Sequence, residues 1–526
     1  MKKLTVILAA AVMMFTTAGC SQQDESSSDS SSAPESSSVS SGTETSSAEE
    51  ASSQPDVSEP APKVDMLDVK PKQTVNETPA SYASLGVDAD KKQEFIKKHI
   101  KEKGLPVVNI TTKDNKEYIL SRDEYTSCVV DIFGCDEKYV ISEASAGVKV
   151  RGNSSAYYGK ESDIKRNTVP YRIKFDEKTS VLGLNGGAQC RSWVLLKSDW
   201  DLIRNDIALR FGRAIIGNDT FCSDGQLVLL YVNDKYQDIY LMCEQCQVNK
   251  ERVDITEPAE GYTGNDIGYY FEIDNYAYDE ADPLFFEMDY GGHVVTDVRG
   301  TTKEFVPAEY SVKSDIYTVQ QMEFIKKYMN NLFELVYLAC EKGRYKTFDE
   351  NYDLIDASFT SAEETVGAVM DLDSVVDLYL LYELVHDYDC GEGSFFMCID
   401  FSPDSTHKKL EFTSPWDFNW AYNDSTSRHW AAAFSEDKFI KQYGDRTNPW
   451  LVVLGKQEWF QKLASEKWTA LNKAGAIRKV IDDETSLLGT FNDDLNKTNE
   501  WAVGCSFDLL KWIEKRIKWM DKTFTV

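Results

Sequence analysis

The sequence predicts an α+β fold in two parts, a β-rich part over about residues 105–250 and a mainly helical part over about residues 251–526. Three observations predict it. Short β-branched and aromatic runs between charged turns crowd the first part. Longer stretches with apolar residues at helical spacing fill the second. One β pair, "GSFFMCID" and "KKLEFTSPWDFNW", interrupts those helices and carries acids at its edges.

Taken in order, "LGVDADKKQEFIKKHIKEKGL" (85–105) reads as a short amphipathic helix ended by Gly104. "PVVNITT", "EYILS" and "SCVVDIFGC" read as strands, and "AGVKVRGNSS" as a strand running into a turn. In "VPYRIKFDE", Tyr171, Ile173 and Phe175 alternate with Arg172 and Lys174, the mark of a half-buried strand. "RSWVLLKS" is another strand. "DWDLIRNDIALRFGRAI" is a helix that Asp199 or Asp201 can cap. "GQLVLLYVNDKYQDIYLMCEQ" is a hairpin turning at Asn233-Asp234-Lys235. A loop-rich acidic insert is expected after Tyr276, and helices from about Val319. In the last helix, Phe507, Leu510, Ile513, Ile517 and Met520 form one stripe expected in the core. There is no repeat of 20–50 residues.

The N-terminus has its own logic. Residues 1–20 read as an export signal: Lys2 and Lys3, then an apolar run from Leu4 to Phe15 that is too short to span a bilayer. Thr17-Ala18-Gly19-Cys20 resembles a bacterial lipobox, which implies a lipid on Cys20 and a place at the bacterial cell surface. Ordinary secretion is the alternative. Residues 21–80 are expected to be a linker, Ser-rich and acidic to about Pro62, with too little to bury to offset its ordering entropy. A phosphoacceptor or glycosylated tract is the other reading. The folded body is expected over 81–526, with no further segment apolar enough to cross a membrane.

A formal net charge of -30 argues against nucleic acid as a partner and against electrostatic docking on anionic lipid. Any membrane contact would run through Cys20 alone. Of eleven cysteines, only Cys243 and Cys246 form a C-x-x-C. One such pair is a weak zinc signal and more often two half-buried strand cysteines. Five histidines are too few for a His-rich metal site.

Four pieces carry chemistry. Lys174 in "YRIKF" is placed to neutralise nucleotide phosphates, though a solvent-facing strand lysine looks the same. Glu244 in "YLMCEQC" ends a strand where the two parts meet, unless it is a solvated turn acid. Asp389 in "ELVHDYDCGEGSFF" follows an apolar helix and precedes a strand, where an acid can orient an acceptor hydroxyl. Five positions on stands Ser394, where a protein kinase has a metal-binding Asn. Asp417 in "SPWDFNWAY" either caps a turn or binds a divalent ion that bridges phosphates. Its place one strand pair after Asp389 favours the metal. Asn419 then reads as a further metal-site residue, a turn residue or a partner of the ligand.

The order of these pieces fits the bilobal plan of a protein kinase. The wording goes further. "VKVRGNSS", "VPYRIKF", "WVLLKSDWDLIRNDIALRF", "LLYVNDKYQDIYLMCEQCQVNKERVDI", "YYFEIDN", "ELVHDYD" and "PWDFNWAY" resemble the CotH-type atypical protein kinases, named for a bacterial spore coat protein, over roughly residues 145–425. The resemblance implies a bilobal atypical protein-kinase-like fold, with a β-rich N-lobe and a helical C-lobe carrying a catalytic hairpin. It implies phosphorylation of Ser or Thr in partner proteins with ATP and Mg²⁺ or Mn²⁺. It puts the catalytic Asp at Asp389, with Asp387 where Asn is usual, the metal-binding Asp at Asp417, and Arg151 near the phosphates. One departure stands out: "DCGEGS" is small and acidic where bacterial relatives often carry a longer polar segment with Arg. Two functions follow. One is a lipid-tethered ectokinase whose own Ser-rich linker is a potential substrate. The other is a surface binding or adhesion protein that keeps the fold with weak or no catalysis.

Overall fold

Seven strands close a barrel in the computed structural model, which describes residues 64–69, 75–99, 104–152, 169–197, 201–274, 277, 284–296, 302–387, 389–422 and 448–524. The export signal with Cys20, the Ser-rich stretch to Pro62, the turn beyond Gly152 and Asp199 lie outside these residues. The strands are β1 (Val107–Thr111), β2 (Thr126–Phe133), β3 (Ile141–Val150), β4 (Tyr171–Thr179), β5 (Cys190–Leu196), β6 (Gly225–Val232) and β7 (Lys235–Glu244), in the order β1-β2-β3-β4-β5-β7-β6. All neighbours are antiparallel except β1 and β6, whose parallel pairing from Val107↔Leu229 to Ile110↔Val232 closes the ring. The sequence suggested a sheet; this last pairing makes it a barrel with no open edge. Alternation decides what fills it: Ile110, Val130, Val148, Ile173, Trp193 and Val228 point inward as one cluster.

The β6–β7 hairpin turns at Asn233 and Asp234, both with positive φ (53° and 63°), as its sequence demands. Helix α1 (Ala89–His99) is fastened there. Lys92 is only 1% exposed, and its Nζ lies 2.6 Å from Asp234 Oδ1 and 2.7 Å from Asn115 Oδ1. A buried ammonium needs such partners to offset its lost hydration. "EYILS" forms no strand; Ile119 instead drops into the barrel interior as a plug. Described residues within the segment expected to be linker are also packed. Met66 bridges Thr318, and Ala80 N–H donates to Ser145 Oγ at 2.6 Å.

Helix α2 (Arg204–Ile216) follows β5. Asp201 accepts the Arg204 N–H at 2.7 Å and so serves its first turn. The helix was expected to belong with the sheet. It packs instead chiefly on two helices of the second part, Leu372–Val385 and Ala476–Gly489.

The expected acidic insert contains strands, because its aromatic residues find a sheet to join. Strands β8 (Gly268–Ile273), β9 (Phe285–Met288), β12 (Ala308–Val312), β15 (Phe395–Asp400) and β16 (Glu411–Thr413) form a five-stranded sheet ordered β16-β15-β8-β12-β9. Strands β10 (Val294–Thr296) with β11 (Thr302–Glu304), and β13 (Lys346–Phe348) with β14 (Leu354–Asp356), make two small ribbons. Around the sheet lie α3 (Val319–Lys342), α4 (Ala362–Val369), α5 (Leu372–Val385), α6 (Pro449–Leu454), α7 (Glu458–Ala474), α8 (Ala476–Gly489), α9 (Asp493–Thr498) and α10 (Glu500–Thr523). Helix α3 starts at a capping box, Thr318 with Gln321, and stops at left-handed Gly343. Among the described residues no helix is long and apolar enough to cross a membrane, and all ten cysteines are unpaired.

Helix α5 is the axis of this part. It is buried from Ser374 to Val385, on every side. Such a helix must satisfy its polar groups internally. Arg516 of α10, itself fully buried, donates to the carbonyl of Glu383 (2.8 and 2.6 Å) and to its carboxylate (3.0 Å). The stripe expected on α10 is mostly confirmed by Leu510, Ile513 and Met520, but Phe507 is 36% exposed. The buried seam runs through Ser506, Leu509, Leu510 and Ile513, which turns Phe507 outward. Arg516→Ala removes the buried guanidinium that answers both the carbonyl and the carboxylate of Glu383. It is expected to cost about 3–5 kcal/mol, read from the midpoint of chemical denaturation.

Candidate functional site

Strands β15 and β16 pair antiparallel in the register Phe396↔Thr413, Met397↔Phe412 and Cys398↔Glu411. The start of one therefore lies beside the end of the other. Asp389 and Ser394 lead into β15, and Asp417 leads out of β16, so all three collect at one end of the hairpin. A second tie holds that end together: Tyr422 N–H donates to Val385 O at 2.8 Å. Backbone strain is concentrated here. His386, Ser394, Ser414, Asp417 and Tyr422 all have positive φ (52°, 56°, 52°, 58° and 61°). Non-glycine residues hold that conformation only where their surroundings enforce it.

His386 ends α5 in the left-handed conformation. Asp387, buried just after it, accepts the Asp389 N–H at 2.9 Å. Asp389 then opens a single 3₁₀ turn, Asp389–Gly391, and is itself half-exposed. The Asp387 carboxylate thus does for the Asp389 backbone what an amide oxygen would do from the same position.

Asp417 is exposed, while Trp416 before it and Phe418 after it are buried. It occupies the cap position of the Phe418–Trp420 turn, yet its side chain makes no capping hydrogen bond. Asp417 therefore does not cap that turn with its side chain. Asn419, expected as a metal-site residue, a turn residue or a partner of the ligand, lies in the Phe418–Trp420 turn that follows Asp417. Its Oδ1 accepts Asn205 Nδ2 at 2.9 Å, and Asn205 Oδ1 accepts the Phe418 N–H at 3.0 Å. Asn419 belongs to the support of Asp417.

Arg151, just past the end of β3, reaches this corner. Alternation turns Lys149, Arg151, Arg172 and Lys174 outward, with Lys149 opposite Arg172 and Lys174 opposite Gly147. Burial, and then the Arg172 charge, pull the Arg151 guanidinium below its usual pKa, while Asp417 opposes them. Lys149 is lowered likewise, by burial and then by Arg172, with Lys174 adding to it. The Arg151 guanidinium lies 5.4 Å from the Trp416 ring centroid, in cation–π range. Arg151 is thus the cation placed beside Trp416 and Asp417, while Lys149, Arg172 and Lys174 share the strand face it belongs to.

Glu244 is not part of that surface, and it is not a solvated turn acid either. Its side chain is fully buried and paired with Arg252 at 3.1 Å. Its second oxygen accepts the Asp224 N–H at 3.2 Å. Both oxygens are engaged in joining the barrel to the following segment. A cavity of about 280 Å³ lined by Arg213, His407 and Glu411 lies at the C-terminal end of α2 and includes none of Asp389, Ser394 and Asp417. Among the described residues no group of three or more His, Cys, Asp or Glu side chains could hold a metal ion by itself.

Sequence reasoning missed the first turn of α2. Besides Asn205, Arg204 pairs with Asp201 at 2.9 Å and donates to Ala421 O. One turn on, Arg210 lies 3.0 Å from Asp206 and 2.6 Å from Glu484 of α8, both acids buried. The available signal was polar residues inside an otherwise apolar helix. Burial, and then the charge of Asp206, push Glu484 up to about 9. The folded state thus keeps a proton that the unfolded state releases in the ordinary carboxylate range. The group's contribution to stability is full below that range and falls as pH rises toward 9. Glu484→Gln is expected to flatten the decline of melting temperature between about pH 5 and 9, followed by thermal denaturation across that range.

No curated protein matches the chain. The family described as CotH kinase protein matches residues 148–519, from within β3 to within α10. That span is well over half of the sequence, and the chain belongs to the CotH kinase protein family.

Proposed function

We propose that the chain is a protein kinase that transfers the γ-phosphate of ATP to Ser or Thr of surface or secreted proteins, dependent on Mg²⁺ or Mn²⁺. The observation that carries this reading is Arg151 meeting Trp416 and Asp417 at the end of the hairpin into which Asp389 leads. Lys174, Arg172 and Arg151 would hold the polyphosphate by charge and by guanidinium hydrogen bonds. Asp389 would orient the acceptor hydroxyl and take its proton as the oxygen bonds to phosphorus and ADP departs. The donor set suits a hard divalent ion: the Asp417 carboxylate and the Ser394 hydroxyl offer oxygens. Magnesium is usually held by one or two carboxylates plus substrate phosphates, not by an all-protein cage. When bound, the ion would neutralise charge on the phosphate oxygens.

Export, the lipid on Cys20 and a place at the bacterial surface belong to the same proposal. They rest on residues 1–20 and on the Ser-rich stretch that would hold the body off the membrane. That stretch also offers acceptor hydroxyls beside acids, and it is the chain's own candidate substrate. A second reading, a surface binding or adhesion protein with weak or no catalysis, is favoured by Ser394 in place of Asn and by "DCGEGS" without Arg.

Residues 63–526, one compact unit, incubated with labelled ATP and Mg²⁺ or Mn²⁺, separate the two. Transfer is expected, with Asp389→Ala lowering it by about 10²–10⁴-fold and Asp417→Ala removing its metal dependence. Absence of both transfer and metal-dependent nucleotide binding in the unmutated protein sinks the kinase reading and leaves the binding one.

A further inference from the structure

We infer that Asn205 is the positioning residue for the Asp417 carboxylate, acting through Asn419 and the backbone of Phe418. This rests on Asp417 being the metal-binding acid of the proposed kinase. Asp417 sits in the left-handed region (φ 58°, ψ 65°), a conformation that relaxes unless both neighbours are held. Asn205 holds the residue that follows it. The Phe418 N–H can only donate, so the Asn205 atom 3.0 Å away must be oxygen. The other end of the same amide is then a donor, and Asn419 must answer with its Oδ1, at 2.9 Å. One buried amide, anchored in the first turn of α2, thus fixes the backbone one residue after the acid and the side chain two residues after it. Further along, Arg204 of the same helical turn donates to Ala421 O.

A merely structural asparagine would affect stability alone. A positioning residue must also alter how the acid meets its ion. Partners that orient a metal ligand typically change metal affinity by about 10–100-fold when removed. The clamp also has a direction that substitution can read. Asn205→Asp keeps the acceptor for Phe418 but offers Asn419 a second acceptor, which forces the Asn419 amide to turn over. Asn205→Ala removes both bonds.

The full chain is tested in two measurements, amide hydrogen exchange over residues 414–422 without nucleotide and Mn²⁺ titration with ATP present. In Asn205→Ala the Phe418 amide is expected to exchange at least about tenfold faster, and half-saturation by Mn²⁺ to rise by about 10–100-fold. Asn205→Asp should retain Phe418 protection yet still shift the Mn²⁺ titration. Combining Asn205→Ala with Asn419→Ala should add no further shift, because the two side chains act as one unit. Unchanged Phe418 exchange in Asn205→Ala overturns the inference whatever the protein's activity. Faster exchange with Mn²⁺ half-saturation within about twofold of the unmutated protein overturns it alone and leaves the kinase reading standing. If the unmutated protein binds no Mn²⁺ with ATP, the kinase reading fails and the metal-positioning role falls with it. Should Asn205→Ala not fold, Asn205→Asp and Asn419→Ala decide by the same titration: a shift in both supports the clamp, and no shift in either rejects it.

Discussion

Antiparallel pairing of β15 with β16 is the constraint on which the site depends. It brings Asp389 and Asp417, far apart in sequence, to one end of a hairpin. The pairing is protected by its surroundings. β15 is an inner strand of the five-stranded sheet, flanked by β8 on its other side, and all six of its residues are buried. Helix α5 delivers the chain to Asp389 and is buried on all sides, with Arg516 answering the polar groups of Glu383. A register slip of one residue would turn every side chain of β15 over, which burial on both faces forbids.

Helix α2 is the strut between the barrel and this hairpin. It leaves the barrel after β5, but its first turn reaches the segment after Asp417 through Asn205 and Arg204. Its next turn is locked to α8 by Arg210 between Asp206 and Glu484. A carboxyl pair sharing one guanidinium in the core is stable only while one of the acids keeps its proton. The strut therefore combines apolar packing with a polar lock that alkaline conditions weaken.

Charge is distributed with the same economy. The chain is strongly acidic overall, yet Lys149, Arg151, Arg172 and Lys174 share one strand face. Burial first, and then the Arg172 charge, lower the basicity of both Lys149 and Arg151. The Asp417 carboxylate opposes these effects at Arg151, and the Trp416 ring supplies the wall.

Much of this was readable in one dimension, because it is local. The strand alternation of Tyr171, Ile173 and Phe175, the Asn233-Asp234 turn and the long helices depend on residues a few positions apart. The positions of Asp389 and Asp417 at the edges of a β pair were equally plain. Other features arise from partners distant in sequence. The parallel β1–β6 closure, the burial of Glu244 against Arg252, the outward turn of Phe507 and the pairing of Asn205 with Asn419 belong to that class. The sequence by itself determined the α+β class, the order of the elements and which acids flank the hairpin, since periodicity and turn chemistry are short-range. Only the tertiary structure decided that Asn419 supports Asp417 and that Glu244 braces the barrel, because a side chain's role follows from the donors and acceptors that folding brings within hydrogen-bond distance.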